Sequence, residues 1–242
     1  MIRYENFGKR YGSVTAVEGL DLDVRAGEAV ALIGPNGSGK TTTLKAALGL
    51  VRPTQGRVFV DGLDTAADAR EARARIGYLP QRLAFADGSN ARDIVRFYAK
   101  LRGVSLHTVD PLLARVGLAD AAVRDVDGYS GGMRQRLGIA IALLGSPRAL
   151  VLDEPTAALD PSGALDVRDI IAGIRAEGIA VLLSSHDLAE VDALADRIGV
   201  FVGGRLRALG SPRELAAAAG LATYDIAHVY RAFTGANTRL AA

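Results

Sequence analysis

Three stretches of the sequence concentrate residue types that hold phosphate and cleave its anhydrides. In the first, Gly34, Pro35, Asn36, Gly37, Ser38, Gly39, Lys40, Thr41 and Thr42 satisfy the spacing G-x-x-x-x-G-K-[ST]. Its glycines let backbone N–H groups curl around an anion without Cβ obstruction, and a following helix adds its positive N-terminal end. Lys40 is placed to meet the β and γ phosphates as a compact cation, and the Thr41 hydroxyl to coordinate Mg²⁺. Lysine is scarce in this chain: Lys9, Lys40, Lys45 and Lys100 are the only ones among 29 basic side chains. An otherwise arginine-using sequence thus puts lysine where a point charge is required. A dinucleotide fingerprint fits worse, because Thr42 stands where G-x-G-x-x-G needs its third glycine.

The second stretch is "ALVLDEP". Asp153 at the end of its apolar run can hold a Mg²⁺ hydration shell, and Glu154 can orient and deprotonate an attacking water. Two adjacent carboxylates before Pro155 could also do no more than close a strand or open a turn. Four apolar residues in front of them and a phosphate loop upstream favour hydrolysis. His186 follows another apolar run, "VLLSS", at a strand end where open α/β sheets build their sites, and is expected to contact the γ phosphate.

The third stretch is "YSGGM". Ser130 is suited to capping a helix that reads from Arg134 to Leu144, and Gly131 and Gly132 are expected to open the backbone in front of it. One nucleotide has one γ phosphate, so this turn is an ordinary cap, binds another ligand, or reaches a nucleotide on a second copy of the chain. In the last case a two-fold dimer would carry two composite sites.

These residues need a scaffold with several strand ends side by side. "AVALIG" (29–34), "ALVLD" (149–153), "AVLLSS" (180–185) and "RIGVFV" (197–202) read as strands buried on both faces of a mostly parallel sheet. Helical patterns over 42–50, 163–176 and 187–195 alternate with them, which predicts a layered α/β core. From about Ala91 to Leu144 strand-like runs disappear and helices follow one another, which reads as an all-helical insert. "IRYENFGKRYG" and "AVEGLDLDVRAG" alternate in polarity and predict flanking antiparallel strands. "ELAAAAGLA" predicts a short helix near the end.

Composition narrows the function classes. The 242 residues are 49% hydrophobic and 23% charged, an ordinary globular balance. Cysteine is absent, so disulfides and thiolate metal sites are excluded, which fits a reducing compartment. A net charge of +2 without a basic block gives no nucleic-acid footprint. No apolar run reaches the roughly 18 residues of a membrane span. The expected place is the cytosol, with any membrane contact made through another protein.

Taken together and in this order, "GPNGSGKTT", "YLPQ", "YSGGMRQR", "ALVLDEPTAALD" and "SSH" resemble the nucleotide-binding subunit of ABC transporters, from Tyr4 to about Leu215. The resemblance implies a P-loop NTPase (RecA-like) α/β core over 1–83 and 146–215, a helical signature subdomain over 84–145 and a tail over 216–242. It implies ATP and Mg²⁺ as cofactors, with Tyr11 stacked on adenine and Gln81 bridging Mg²⁺ and the helical insert. It also implies that Ser130, Gly131 and Gly132 contact the γ phosphate in trans, that Asp160 lies across the dimer interface, that Glu154 is the base and that His186 is the switch residue. Three departures stand out: Tyr129 and Met133 replace the usual leucine and glutamine, and Ala157 lacks the hydroxyl of the commoner "SALD". The partners implied are a homodimeric second copy and separate permease subunits, with the chain peripheral on the cytoplasmic side of the cell membrane. "LGIAIALLGSPRALVLDEPTAALDP" and "IAHVYRAFTG" are similar to ATPases of ABC-2-type exporters. Within these they are similar to the copper-maturation transporter that serves nitrous oxide reductase. The alternative is a soluble ABC ATPase acting on nucleic acid or ribosomes. Such proteins normally carry a coiled-coil insert, a zinc site or two cassettes.

Overall fold

The computed structural model describes residues 1–235, so residues 236–242 of the expected tail lie outside the described residues. Two sheets organise the chain. The larger has the order β10 (Arg205–Gly210), β9 (Arg197–Val202), β3 (Ala29–Ile33), β8 (Ala180–Ser184), β7 (Ala149–Asp153), β6 (Ile76–Leu79). All its neighbours run parallel except β10, which pairs antiparallel with β9. The smaller sheet is antiparallel, in the order β2 (Val14–Val24), β1 (Ile2–Tyr11), β4 (Gln55–Val60), β5 (Leu63–Asp64).

The two-residue side-chain period of a strand explains why β3, β7 and β8 are apolar throughout. Ala29, Ala31 and Ile33 of β3, Leu150 and Leu152 of β7, and Val181 and Leu183 of β8 enter one hydrophobic cluster. Their alternates Val30, Leu32, Ala149, Val151, Ala180 and Leu182 enter a second cluster with the antiparallel sheet and helix α1 (Lys40–Ala47). Every one of these side chains is fully enclosed, and each fully buried Val, Leu or Ile among them contributes about 1.5–3 kcal/mol. Tyr4 joins the layers: its hydroxyl donates to the Thr43 carbonyl at 2.8 Å.

The first cluster continues into the helices of the region expected to be an insert: α3 (Ala91–Leu101), α4 (Val109–Arg115) and α5 (Gly131–Ala142). Val95, Leu113 and Leu137 share it with the sheet residues and with Val167 and Ile171 of α6 (Pro161–Ala176). Helix α7 (Leu188–Leu194) follows β8, and α8 (Pro212–Ala218) and α9 (Ile226–Thr234) close the described chain. A short α2 (Ala69–Ala74) precedes β6.

Two helix boundaries correct the sequence reading. The first helix runs over 40–47, not 42–50, because Gly39 starts it with φ 112° and Gly49 leaves it with φ 63°. Helix α5 starts at Gly131, not Arg134, so Gly131 and Gly132 lie in its first turn and do not form an open loop. Closeness explains the glycine at 132: a Cβ there would stand 3.1 Å from the Gly163 Cα of α6.

Candidate functional site

The carboxyl ends of β3, β7 and β8 lie in parallel register, and the chain leaves each of them carrying one part of the site. After β3 the backbone turns through Gly34, whose φ is 151° and whose Cβ, were there one, would lie 2.2 Å from the Phe201 carbonyl oxygen. At Gly39 a Cβ would meet the Ala16 carbonyl oxygen at 2.6 Å. The loop therefore closes against β9 and β2 as only glycine allows.

Helix α1 begins directly after it with no side-chain cap, so its first N–H groups remain available. The Ser38 hydroxyl is buried with no hydrogen-bond partner among the described residues. Lys40, 8% exposed, donates from Nζ to the carbonyls of Gly34 at 2.6 Å and Pro35 at 3.2 Å. Burial pushes its pKa below the ordinary lysine value, while the Glu154 and Asp153 carboxylates oppose the shift. Uncapped N–H groups, a partnerless hydroxyl and a desolvated ammonium form a donor set suited to a polyphosphate.

The carboxylates come from the end of β7. Asp153 is buried and accepts a hydrogen bond from the Ser184 hydroxyl at 2.6 Å, across a β7–β8 pair in which the two residues are register partners. At Glu154 the strand ends in the left-handed region, with φ 55°. Such a conformation is uncommon for a residue with a Cβ and is held here by two bonds from the Glu154 N–H, to the Ser184 carbonyl and hydroxyl. Glu154 Oε2 accepts from the His186 backbone N–H at 3.3 Å and stands 2.7 Å from His186 Nδ1. The carboxylate side chain is 10% exposed and the imidazole 68%, so a shielded carboxylate carries a solvent-facing ring.

A cavity of about 320 Å³ is lined by Tyr11, Asn36, Gly37, Ser38, Gly39, Lys40, Thr41, Thr42, Gln81, Asp153 and Glu154, joined by Ala16 and Ser184. A second of similar volume takes Gly34, Pro35, Asn36, Gln81, Glu154 and His186, together with Leu188 and Tyr230. The structure thus brings together the phosphate loop, both carboxylates, Gln81, Tyr11 and His186. Tyr4 and Phe7, the other aromatics of β1, are buried in the core, whereas Tyr11 is 49% exposed beside Lys9. Thr41, Gln81 and Asp153 are hard oxygen donors suited to Mg²⁺. No cluster of three or more His, Cys, Asp or Glu capable of holding a metal occurs among the described residues, and Mg²⁺ ordinarily completes its octahedron with phosphate oxygens and water.

Ser130, Gly131, Gly132 and Asp160 line neither cavity. Ser130 caps α5, its hydroxyl accepting from the Met133 N–H at 3.2 Å, and Asp160 stands at the N-cap of α6. Tyr129 faces the other way, buried, with its hydroxyl donating to the Ala121 carbonyl at 2.7 Å.

Residues 17–157 match the family described as ABC transporter. The chain belongs to the ABC transporter family. It is 39% identical over 206 residues to the lantibiotic transport ATP-binding protein SrtF of Streptococcus pyogenes, spanning 85% of this chain and 89% of the relative. It is 40% identical over 222 residues to the daunorubicin resistance ATP-binding protein DrrA3 of Streptomyces coeruleorubidus, spanning 90% and 70%. Among solved structures, the ATP-binding cassette MJ0796, a dimer in a post-hydrolysis state bound to ADP and Pi, superposes with a TM-score of 0.77. The identity is 26%, and the match covers 87% of this chain and 98% of that one. The fold is accordingly that of an ABC ATP-binding cassette.

Sequence reasoning assigned no role to Ser184, Tyr230, Arg168 or Glu190. Ser184 had a readable signal, a hydroxyl closing a buried strand next to the strand of Asp153. Tyr230 had none, because only the tertiary path of α9 brings it to the second cavity.

Proposed function

We propose that this chain is the ATP-hydrolysing motor subunit of an exporter-type ABC transporter, acting as a head-to-tail homodimer on separate permease subunits. The observation that carries the reading is that Glu154, bonded to His186, lines both the cavity that holds the Asn36–Thr42 loop and Asp153 and the neighbouring one that holds His186. When bound, Mg²⁺–ATP supplies the anhydride bond and a divalent charge that neutralises its oxygens.

The rest of the work falls to the chain's own residues. The loop N–H groups and Lys40 Nζ bind and orient the β and γ phosphates. Thr41, Gln81 and Asp153 hold the cation, with Asp153 kept in place by Ser184. Tyr11 offers its exposed ring to adenine. Glu154 Oε2 orients a water and takes its proton, and His186 senses the γ phosphate from the same carboxylate.

The signature turn has no share in this cavity, which supports its use on a second copy. Gly131 and Gly132 begin a twelve-residue helix that Ser130 caps, and the partner's nucleotide would meet that helix's N-terminus while Asp160 lies at the interface. The dimeric cassette among the similar structures supports the same arrangement. We adopt the division into core, 84–145 helical subdomain and tail as part of this reading.

Permease contact falls on an apolar groove of about 310 Å³ between the segment after Gln81 and helix α3, walled by Ala84, Phe85, Ile94, Phe97 and Tyr98. Phe97 is 58% exposed there. No described helix is long and apolar enough to cross a membrane. In this reading a separate membrane partner supplies the path and holds the chain at the cytoplasmic face. The names of the two relatives, lantibiotic transport and daunorubicin resistance, support export. The copper-maturation subgroup rests on the sequence resemblance, and no observation favours the nucleic-acid alternative.

Replacing Glu154 by Gln tests the mechanism. Turnover falls by about a hundredfold or more through loss of the base, while ATP binding persists and an ATP-dependent dimer accumulates. Sedimentation that finds only monomer at saturating ATP overturns the shared site.

A further inference from the structure

Beside Glu154 and His186 lies a third cavity, of about 440 Å³, on the side away from the phosphate loop. One wall is the segment 156–161 that leads into α6, and the other is 185–187 leading into α7. Across it Arg168 of α6 meets Glu190 of α7 in a two-pronged ion pair: Nε donates to Oε2 at 3.0 Å and Nη2 donates to Oε1. The Glu190 side chain is only 11% exposed and that of Arg168 27%. The hydrogen bond to Glu190 raises the guanidinium pKa above its ordinary value. Removing either partner of a pair this enclosed strands a charge in the protein.

The pair also sits where position matters. His186 is mostly solvent-facing, so its ring has few walls of its own. Its backbone is set by the short run from Ser184 to α7, and α7 is only seven residues long. Asp187 caps that helix by accepting from the N–H groups of Ala189, at 2.9 Å, and Glu190. The residue whose N–H is capped is thus the residue whose carboxylate grips Arg168. Helix α6, which fills the core through Val167, Ile171 and Ile174, is the anchored side of the contact.

We propose that Arg168 and Glu190 are positioning residues for hydrolysis: by pinning α7 to α6 they hold His186 at hydrogen-bond distance from Glu154. This rests on the ATPase reading above and adds to it the pair that keeps base and switch residue in register. The pair touches no substrate; it acts through His186.

The test uses the full chain and the variants E190Q, R168Q and the double variant R168Q/E190Q. Two readouts are taken: steady-state ATP hydrolysis, and the ring resonances of the three histidines, His107, His186 and His228, in selectively labelled protein. E190Q is expected to lower kcat at least fivefold with KM for ATP changed less than twofold. It should shift the His186 resonance and leave those of His107 and His228 in place. The double variant, which strands no charge, should be no worse than either single one. The proposal is overturned if a folded E190Q protein keeps the wild-type kcat, if its His186 resonance is unmoved, or if the double variant's losses are the sum of the single ones. Should E190Q not fold, R168Q/E190Q alone decides: an unmoved His186 resonance at wild-type kcat sinks the idea. Failure of the ATPase reading itself shows differently, as wild-type protein that hydrolyses no ATP while its histidine resonances still respond to E190Q.

Discussion

Ser184 illustrates how much a single hydroxyl does in this site. It donates to the buried Asp153 carboxylate, and its carbonyl and hydroxyl both receive the Glu154 N–H, so one residue of β8 orients the last residue of β7 and the one after it. Ser184→Ala leaves Asp153 with an unmet bond at a cost of about 1–3 kcal/mol. The expected outcome is a lowered thermal midpoint together with a higher Mg²⁺ concentration for half-maximal ATP hydrolysis, measured by melting and by metal titration. Tyr129 answers a departure from the family pattern in the same terms. Its hydroxyl bonds the Ala121 carbonyl inside the helical region, so Tyr129→Phe should cost about 1 kcal/mol in denaturant unfolding and leave ATP affinity unchanged. The phosphate loop and the Asp-Glu pair were legible in the sequence because their spacing is local and demanding. The Ser184 bond was not, since it joins residues 31 apart that only strand register makes neighbours.

At the level of elements, the contact of α5 with α6 turns on two glycines. Gly132 and Gly163 let the helix backbones touch, and neither has a positive φ that would otherwise require glycine. Gly132→Ala is therefore expected to push α5 away from α6, destabilising the fold by about 1–3 kcal/mol as overpacking does. Calorimetry of the nucleotide-free chain checks it; an unchanged midpoint would mean that α5 shifts freely. The same contact explains why the signature helix was placed three residues late in the sequence, where glycines at the start of a pattern suggested a loop. Strands buried on both faces could be read from their unbroken apolar runs. β4, β6 and β10 could not: "QGRVFV" and "RLRALG" are half-exposed, and β6 carries Gly77 because a Cβ there would stand 2.1 Å from the Ala142 carbonyl oxygen. β6 and β10 are edge strands and β4 is bordered on one side only by the two-residue β5, so all three answer to neighbours that leave little trace in a local pattern.

On the scale of the molecule, one hydrophobic cluster runs from the sheet through α6 into α3, α4 and α5, so the helical region and the nucleotide core pack as one body. A push on α3 can therefore reach the strands that carry Asp153 and Glu154. In the proposed reading, the exposed Phe97 is the handle for that push. Phe97→Glu should leave basal ATP hydrolysis at the wild-type rate and reduce stimulation by the cognate permease at least tenfold, read in vesicles that contain both proteins. Stimulation that survives places the permease elsewhere. The layered α/β architecture and the run of helices were apparent from sequence periodicity, whereas their common packing was not, because it depends on which faces meet. One last feature lies at the far end of the described chain. Helix α9 carries Tyr230 to the wall of the chamber that also holds His186, although the family match stops at residue 157. A shortened chain ending at Leu215 would retain every recognisable motif and still be missing part of the wall around His186.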